Sequence, residues 1–274
     1  MKKNNLIVKD NALINASYTL DLVEQRLILL AVLEARQSNV ATDNELTVYA
    51  ENYINLFGVH KNSAYEALKN ACDNLFERRF SYQKLTTNGN IEQVKSRWVQ
   101  RISYVNNEAL VRLKFSDDVI PLITQLEKHF TSYELEQISG LTSAYAVRLY
   151  ELLIAWRSTG KTPVFSLNDF RNKLGILENE YSKMVNFKTR VLDHSITQIN
   201  THTDITVTYE QHKAGRTITG FSFAFKVKKS QKENTPKPQG ETILGVLKAD
   251  IERLARAGES YEQAAERIKK QGLV

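Results

Sequence analysis

The chain has 274 residues, 42% hydrophobic and 25% charged, with a mean hydropathy of −0.38. That is ordinary globular composition and length enough for about two domains, which excludes disordered and collagen-like classes. Thirty-seven Lys and Arg against 31 Asp and Glu give a net charge of +6, a modest excess that admits a polyanionic partner without naming one.

The most apolar stretch, residues 27–33, falls far short of the roughly 18 residues a membrane span needs. The basic start Met1-Lys2-Lys3-Asn4-Asn5 leads into no apolar export core, and the lone Cys72 can form neither an internal disulfide nor a thiolate cluster. A cytoplasmic protein without membrane contact is expected.

In chain order, the first predicted helix contains Arg26-Leu27-Ile28-Leu29-Leu30-Ala31-Val32-Leu33, apolar at three- and four-residue spacing. A strand, Leu46-Thr47-Val48, follows, then a short helix over 50–57 stopped at Gly58. The spacing predicts a longer amphipathic helix over 62–76, with Ala64, Leu68, Ala71, Cys72 and Leu75 inward and Asn62, Ser63, Glu66, Asn70 and Asp73 outward. Two acids on that outward side oppose phosphate. The basic residues of this half lie elsewhere: Lys61 and Lys69 near the helix start, Arg78 and Arg79 past its end, and Lys84, Lys95, Arg97 and Arg101 along the strands. Those strands are expected at 79–84, 91–104 and 109–115, with a turn at Asn88-Gly89-Asn90. The connecting region carries helical patterns at 119–126 and 133–138, and Asp117-Asp118 precede the first of them, where acids favour a helix start.

The same order then recurs. A helix capped by Thr142 or Ser143 contains Arg148-Leu149-Tyr150-Glu151-Leu152-Leu153-Ile154; a strand, Val164-Phe165-Ser166-Leu167, precedes a helix over 168–174 stopped at Gly175. A long helix over 183–200 places Leu192, Ile196 and Ile199 where the first half has Leu68, Cys72 and Leu75. The offsets are 122 from Arg26 to Arg148, 117 from Gly58 to Gly175 and 124 from Leu68 to Leu192. Strands at 205–210 and 217–227 flank a turn at Lys213-Ala214-Gly215. Helix, strand, helix, helix, hairpin is the order of a winged helix. The expected fold is α+β: two tandem winged-helix domains related by internal duplication, at 1–138 and 139–229, then 230–274 as a linker and short helical tail. The tail's helices are predicted at 243–257 and 260–270, with Gly258 as stop and Ser260 as cap, forming either a partner-binding hairpin or a solvated end.

A helical wheel separates the faces of the second long helix. Met184, Phe187, Val191, Ser195 and Ile199 point inward with Leu192 at the edge; Lys183, Asn186, Arg190 and Thr197 point outward, flanked by Thr189. Arg can pair bidentately with guanine, Asn with adenine, and Lys can neutralise phosphate. His212, Lys213 and Arg216 at the wing turn and Lys226, Lys228 and Lys229 at its exit could straddle a backbone. The second domain is therefore expected to be the main base reader and the first a phosphate clamp or protein interface. The competing reading is an ordinary solvated helix face.

A catalytic constellation is not found. His60, His129, His194, His202 and His212 include no pair separated by one residue, no glycine-rich loop ends in Gly-Lys-Ser or Gly-Lys-Thr, and the twelve tyrosines lack a metal site beside them. A binder without metal, cofactor or chemistry of its own is expected.

The segments Leu141-Thr-Ser-Ala-Tyr-Ala-Val-Arg-Leu-Tyr-Glu-Leu-Leu153 and Phe187-Lys-Thr-Arg-Val-Leu-Asp-His-Ser-Ile-Thr-Gln-Ile-Asn-Thr-His-Thr-Asp-Ile205 carry a resemblance, with Lys213-Ala-Gly-Arg216 and Phe221-Ser-Phe-Ala-Phe225 after them. Together with Val8-Lys-Asp-Asn-Ala-Leu-Ile-Asn-Ala16 and Glu24-Gln-Arg-Leu27, they make residues 6–229 similar to the plasmid replication initiators that bind repeated origin sequences. The resemblance implies twin winged helices. It further implies a monomer that binds direct repeats (iterons) in double-stranded DNA, helps open the origin and meets the host helicase and host initiator, and a dimer, joined through the first domain, that represses its own gene. By motif position it implies DNA contacts at Asn186, Lys188, Thr189, Arg190, Lys213 and Arg216, although the wheel puts Lys188 inward. Lys183 and, in the first domain, Lys61, Asn62, Ser63, Lys69, Arg78, Arg79, Lys95 and Arg97 complete the candidate DNA-binding set. A transcriptional regulator without a replication role is the alternative, and a nicking enzyme, which would form a tyrosyl adduct, a third.

Overall fold

An unbroken apolar run has no side to offer water, so α2 (Leu22–Gln37) lies inside the first unit, where every residue from 27 to 33 is buried. The computed structural model describes residues 5–37, 45–124, 130–228, 241–256 and 258–273. Ahead of α2 come β1 (Leu6–Asp10), α1 (Asn11–Ile14) and β2 (Ser17–Tyr18); after it, β3 (Leu46–Tyr49), α3 (Ala50–Phe57) and α4 (Lys61–Glu77). Gly58 ends α3 in the left-handed conformation at φ 61°, as a glycine stop should.

The strands that follow depart from expectation. The single strand predicted over 91–104 is two, β5 (Ile91–Arg97) and β6 (Val99–Val105), belonging to different sheets. Between them Trp98 is fully buried, edge-on to Tyr18 at 5.0 Å and tilted against Phe80 at 4.8 Å. Burial of that indole turns the chain. β4 (Arg79–Leu85) and β5 form a hairpin whose sheet is completed by β2, while β6 and β7 (Leu110–Phe115) form the wing, completed by β3. The β4–β5 hairpin is thus an insertion between α4 and the wing.

Further on, α5 (Ile120–Thr124) occupies the described part of the first connecting pattern; residues 125 and 126 lie outside the described residues, as does His129. The helix expected over 133–138 is corrected: β8 (Phe130–Glu134) pairs antiparallel with β1, from Leu6 opposite Glu134 to Asp10 opposite Phe130, and only α6 (Glu136–Ser139) is helical. Pairing with a strand more than a hundred residues away overrides the local period.

The second unit repeats the first in α7 (Ala144–Ile154), β9 (Phe165–Ser166), α8 (Leu167–Lys173), a long helix over 184–202, then β10 (Ile205–Ala214) and β11 (Thr217–Val227). Its sheet order β10–β11–β9 reproduces β6–β7–β3. Ser143 is the N-cap of α7, as expected, but its side chain makes no capping bond; instead Gln198, on the long helix, accepts from the amides of Thr142 at 2.8 Å and Ser143 at 3.3 Å. Gly175 has φ 76°, and a Cβ there would stand 2.3 Å from the carbonyl oxygen of Tyr18 in the first unit; both turn and close approach require glycine.

One apolar core runs through both units, and a buried charged cluster pins them. Glu151 accepts from Lys9 Nζ at 2.6 Å, Tyr133 Oη at 2.6 Å and Arg148 Nη1 at 2.7 Å. Arg148 also donates to the carbonyls of Ile14 and Ala16, each at 3.0 Å, and lies 4.2 Å over the Tyr18 ring. Its counterpart in the repeat, Arg26, donates to the carbonyl of Leu141 at 3.0 Å and lies 4.6 Å over Phe57.

The tail is not the solvated end that was one of the two expectations; it packs on the first unit. A small turn at Leu244-Gly245, both at positive φ, joins β12 (Thr242–Ile243) to β13 (Val246–Leu247), before α11 (Lys248–Leu254) and α12 (Tyr261–Lys270). Tyr261 stacks on Phe130 at 5.3 Å and joins Ala255 against Leu6 and Val8; buried Glu252 accepts from Arg36 at 2.8 Å and Tyr261 Oη at 2.7 Å. Apolar cover and a paired charge hold the tail on the first unit. The linker at 230–240, Ala257 of the expected tail helix and the wing-exit Lys229 lie outside the described residues.

Candidate nucleic-acid interface

The long helix of the second unit is built as α9 (Met184–Asn186), a π-helical turn over Phe187–Asp193 and α10 (His194–His202), where one continuous α-helix was expected. The widened turn lets the adjacent Val191 and Leu192 both enter the core with Phe187, all three fully buried. Phe187 meets Phe170 at 6.1 Å and Phe221 at 5.9 Å. These rings fix the helix against α8 and the wing. Its exposed side carries Lys183, Val185, Thr189, Arg190, Asp193, His194 and Thr197, while Asn186 is half-buried.

Lys188 is placed differently from the wheel. Its stem crosses the wing strand, with Nζ 5.8 Å from the centre of the Tyr209 ring and 3.3 Å from Gln211 Oε1, so the side chain is half-buried while its ammonium reaches solvent-facing Gln211. Tyr209 in turn donates its hydroxyl to Asp193 Oδ1 at 2.9 Å. Burial, and then this hydrogen bond, push the phenol up to about 12, so it remains a donor at neutral pH. Helix and wing are clasped together at Lys188, Tyr209 and Asp193.

At the wing turn, Gly215 takes φ 61° and leaves Lys213 and Arg216 exposed on either side of it. His212 is half-buried and its Nε2 lies 2.7 Å from Ser222 Oγ. Lys226 is exposed. Lys228 is not the backbone-straddling cation expected: its Nζ donates to the carbonyls of Asn200 at 2.6 Å and Thr203 at 2.8 Å, closing the C-terminal end of α10.

In the first unit, Asn62, Ser63, Glu66, Lys69, Asn70 and Asp73 all stand exposed on α4, as does Lys61 at its start. Arg79 and Lys95 are exposed on the inserted hairpin. Two candidates are drawn away. Arg78 Nε donates to both oxygens of buried Glu24, at 2.9 and 3.1 Å. Arg97 donates to the Phe76 carbonyl at 2.7 Å and to Glu77 at 3.0 Å. Those pairings tie the hairpin and α4 to the rest of the unit.

Arg171 is a functional support that charge counting overlooked. It lies 5.5 Å over the Phe187 ring and donates to the carbonyls of Glu180 and Tyr181, bracing the turn before the long helix. Its position three residues past Asn168, within a short helix, gave no sign of that reach. Among the described residues no group of three or more His, Cys, Asp or Glu is placed to hold a metal ion, and no helix is long and apolar enough to cross a membrane.

Two family models match the chain: "Initiator Replication protein, WH1" over residues 6–154 and "Initiator Rep protein, WH2" over residues 166–225. An Escherichia coli protein named "Replication initiation protein" is 26% identical over 219 residues, covering 77% of this chain and 66% of its own. A second, an "Uncharacterized 27.6 kDa protein" of Escherichia coli, is 23% identical over 229 residues, covering 79% and 93%. Among solved structures, the Pi initiator protein in complex with iteron DNA superposes with a TM-score of 0.68 at 23% identity, over 84% of this chain and all of that one.

Proposed function

The chain belongs to the initiator replication protein family, and from that premise we propose that it binds iterons in duplex DNA at a plasmid origin. In this reading the second unit reads bases: Arg190, Asn186 and Thr189 face base edges, while Lys183, Lys188, Lys213 and Arg216 hold phosphates on either side. The first unit contributes backbone contacts through Lys61, Asn62, Ser63, Lys69, Arg79 and Lys95. Arg78 and Arg97 act instead as supports, since each is already paired. As a monomer the protein opens the adjacent duplex and meets the host helicase and host initiator; as a dimer, joined through the first unit, it represses its own gene.

The observation that carries this reading is the second unit's combined surface: a helix resting on Phe187 with exposed Lys183, Thr189 and Arg190, clasped to a wing whose turn exposes Lys213 and Arg216. A helix with a flanking hairpin is a shape that enters a major groove and grips the adjoining backbone. The test is transformation with an otherwise nonreplicating circle carrying this gene and its flanking DNA. Autonomous replication, lost when the flanking repeats are deleted, is the expected result. A protein that binds the flanking DNA yet supports no replication would be a regulator, and the initiator reading would fall.

A further inference from the structure

Most exposed positions on the long helix of the second unit are polar or charged, but Val185 stands out at 69% exposure. It lies in the first turn, between exposed Lys183 and half-buried Asn186, and one turn before exposed Thr189. Met184 beside it packs on the core, so the apolar requirement of that turn is already met. A β-branched residue is also a poorer helix former than the polar residues available at a solvated position.

We propose that Val185 is a specificity-determining residue that reads the C5-methyl group of a thymine. Residues i and i+4 lie one above the other on a helix, and side chains tilt toward its N-terminus; the valine methyls therefore lead Thr189 into whatever the face meets. The side chain is short and stiff, so its contact must lie directly against the helix. In a major groove the thymine methyl is the one apolar feature on a base edge. The neighbours select DNA over a second copy of the chain, because residues 183–190 carry Lys183, Lys188 and Arg190 and no acid, so this stretch of helix attracts phosphate and would repel its own counterpart.

This inference rests on the base-reading function proposed above, and its test separates the two. A duplex is selected from a random pool by the full-length chain, and each thymine of the enriched site is replaced in turn by deoxyuridine, which lacks only the methyl. One replacement should weaken wild-type binding about three- to five-fold, the effect of losing one buried methyl, and leave Val185→Ala unaffected. On the unmodified duplex Val185→Ala should show a loss of the same size. An enriched site without thymine, or a variant as sensitive to every replacement as the wild type, would overturn the role of Val185 while leaving base reading intact. Failure of the full chain to enrich any site would overturn both.

Discussion

Charge on a DNA-binding surface has two separable effects, and Arg190 and Lys213 present them at different places. In the proposed reading Arg190, exposed on a helix anchored by Phe187, faces base edges, and Lys213, exposed beside Gly215 at the wing turn, meets phosphate. Arg190→Ala should cost about 1 to 3 kcal/mol on the selected site and relax preference at one base pair, with a much smaller loss on random DNA. Lys213→Ala should weaken both complexes alike and reduce the slope of log Kd against log salt by about 0.9, one phosphate's worth of released counterions. Titrations of each variant at several salt concentrations decide it. Equal losses on both duplexes would make Arg190 a phosphate contact, and an unchanged slope would remove Lys213 from the backbone.

Cations of the same type do different work when an element's end claims them. Lys228 follows β11 yet its ammonium closes the last turn of α10, satisfying carbonyls that otherwise have no helical donor. Lys228→Met should therefore lower the stability of the chain by about 1 to 3 kcal/mol, as loss of charged hydrogen bonds does, with the salt slope of DNA binding unchanged. Urea unfolding and a salt titration of the same variant measure the two quantities; a reduced slope with unaltered stability would return Lys228 to the DNA surface. The element order itself was legible in the sequence because it is written locally: apolar spacing marks the helices, and Gly58 and Gly175 mark their stops. Of the positions predicted outward on the 183–200 helix, Lys183, Thr189, Arg190 and Thr197 were legible for the same reason and are exposed, whereas Asn186 is half-buried. What was hidden depends on partners far along the chain. Arg78 pairs with Glu24 across 54 residues and Lys228 with Asn200 across 28; Trp98 splits a strand because Tyr18 and Phe80 receive it; β8 is a strand because β1 pairs with it. Periodicity within a window carries none of these.

The arrangement of the two units depends on charges that water does not reach. Lys9 comes from β1 of the first unit, Arg148 and Glu151 from α7 of the second, and all three are buried. Burial alone would raise the Glu151 carboxyl, but Lys9 and Arg148 beside it hold it at about 2, against an ordinary value of 4.5. The folded chain thus binds fewer protons at this site than the unfolded chain. Its stabilising contribution is complete above pH 4.5 and disappears as the pH falls toward 2. Removing one member of a buried pair costs roughly 3 to 5 kcal/mol, because the other charge is left without its partner. Glu151→Gln should therefore be less stable than the wild type by about that amount at neutral pH, the gap narrowing as acid protonates the wild-type carboxyl. Urea unfolding of both proteins across the acid range reads the difference directly, and a gap independent of pH would show that Glu151 contributes by packing instead of charge. Adding Lys9→Met to Glu151→Gln should recover part of the loss, because the cation left without its partner in the core is then gone.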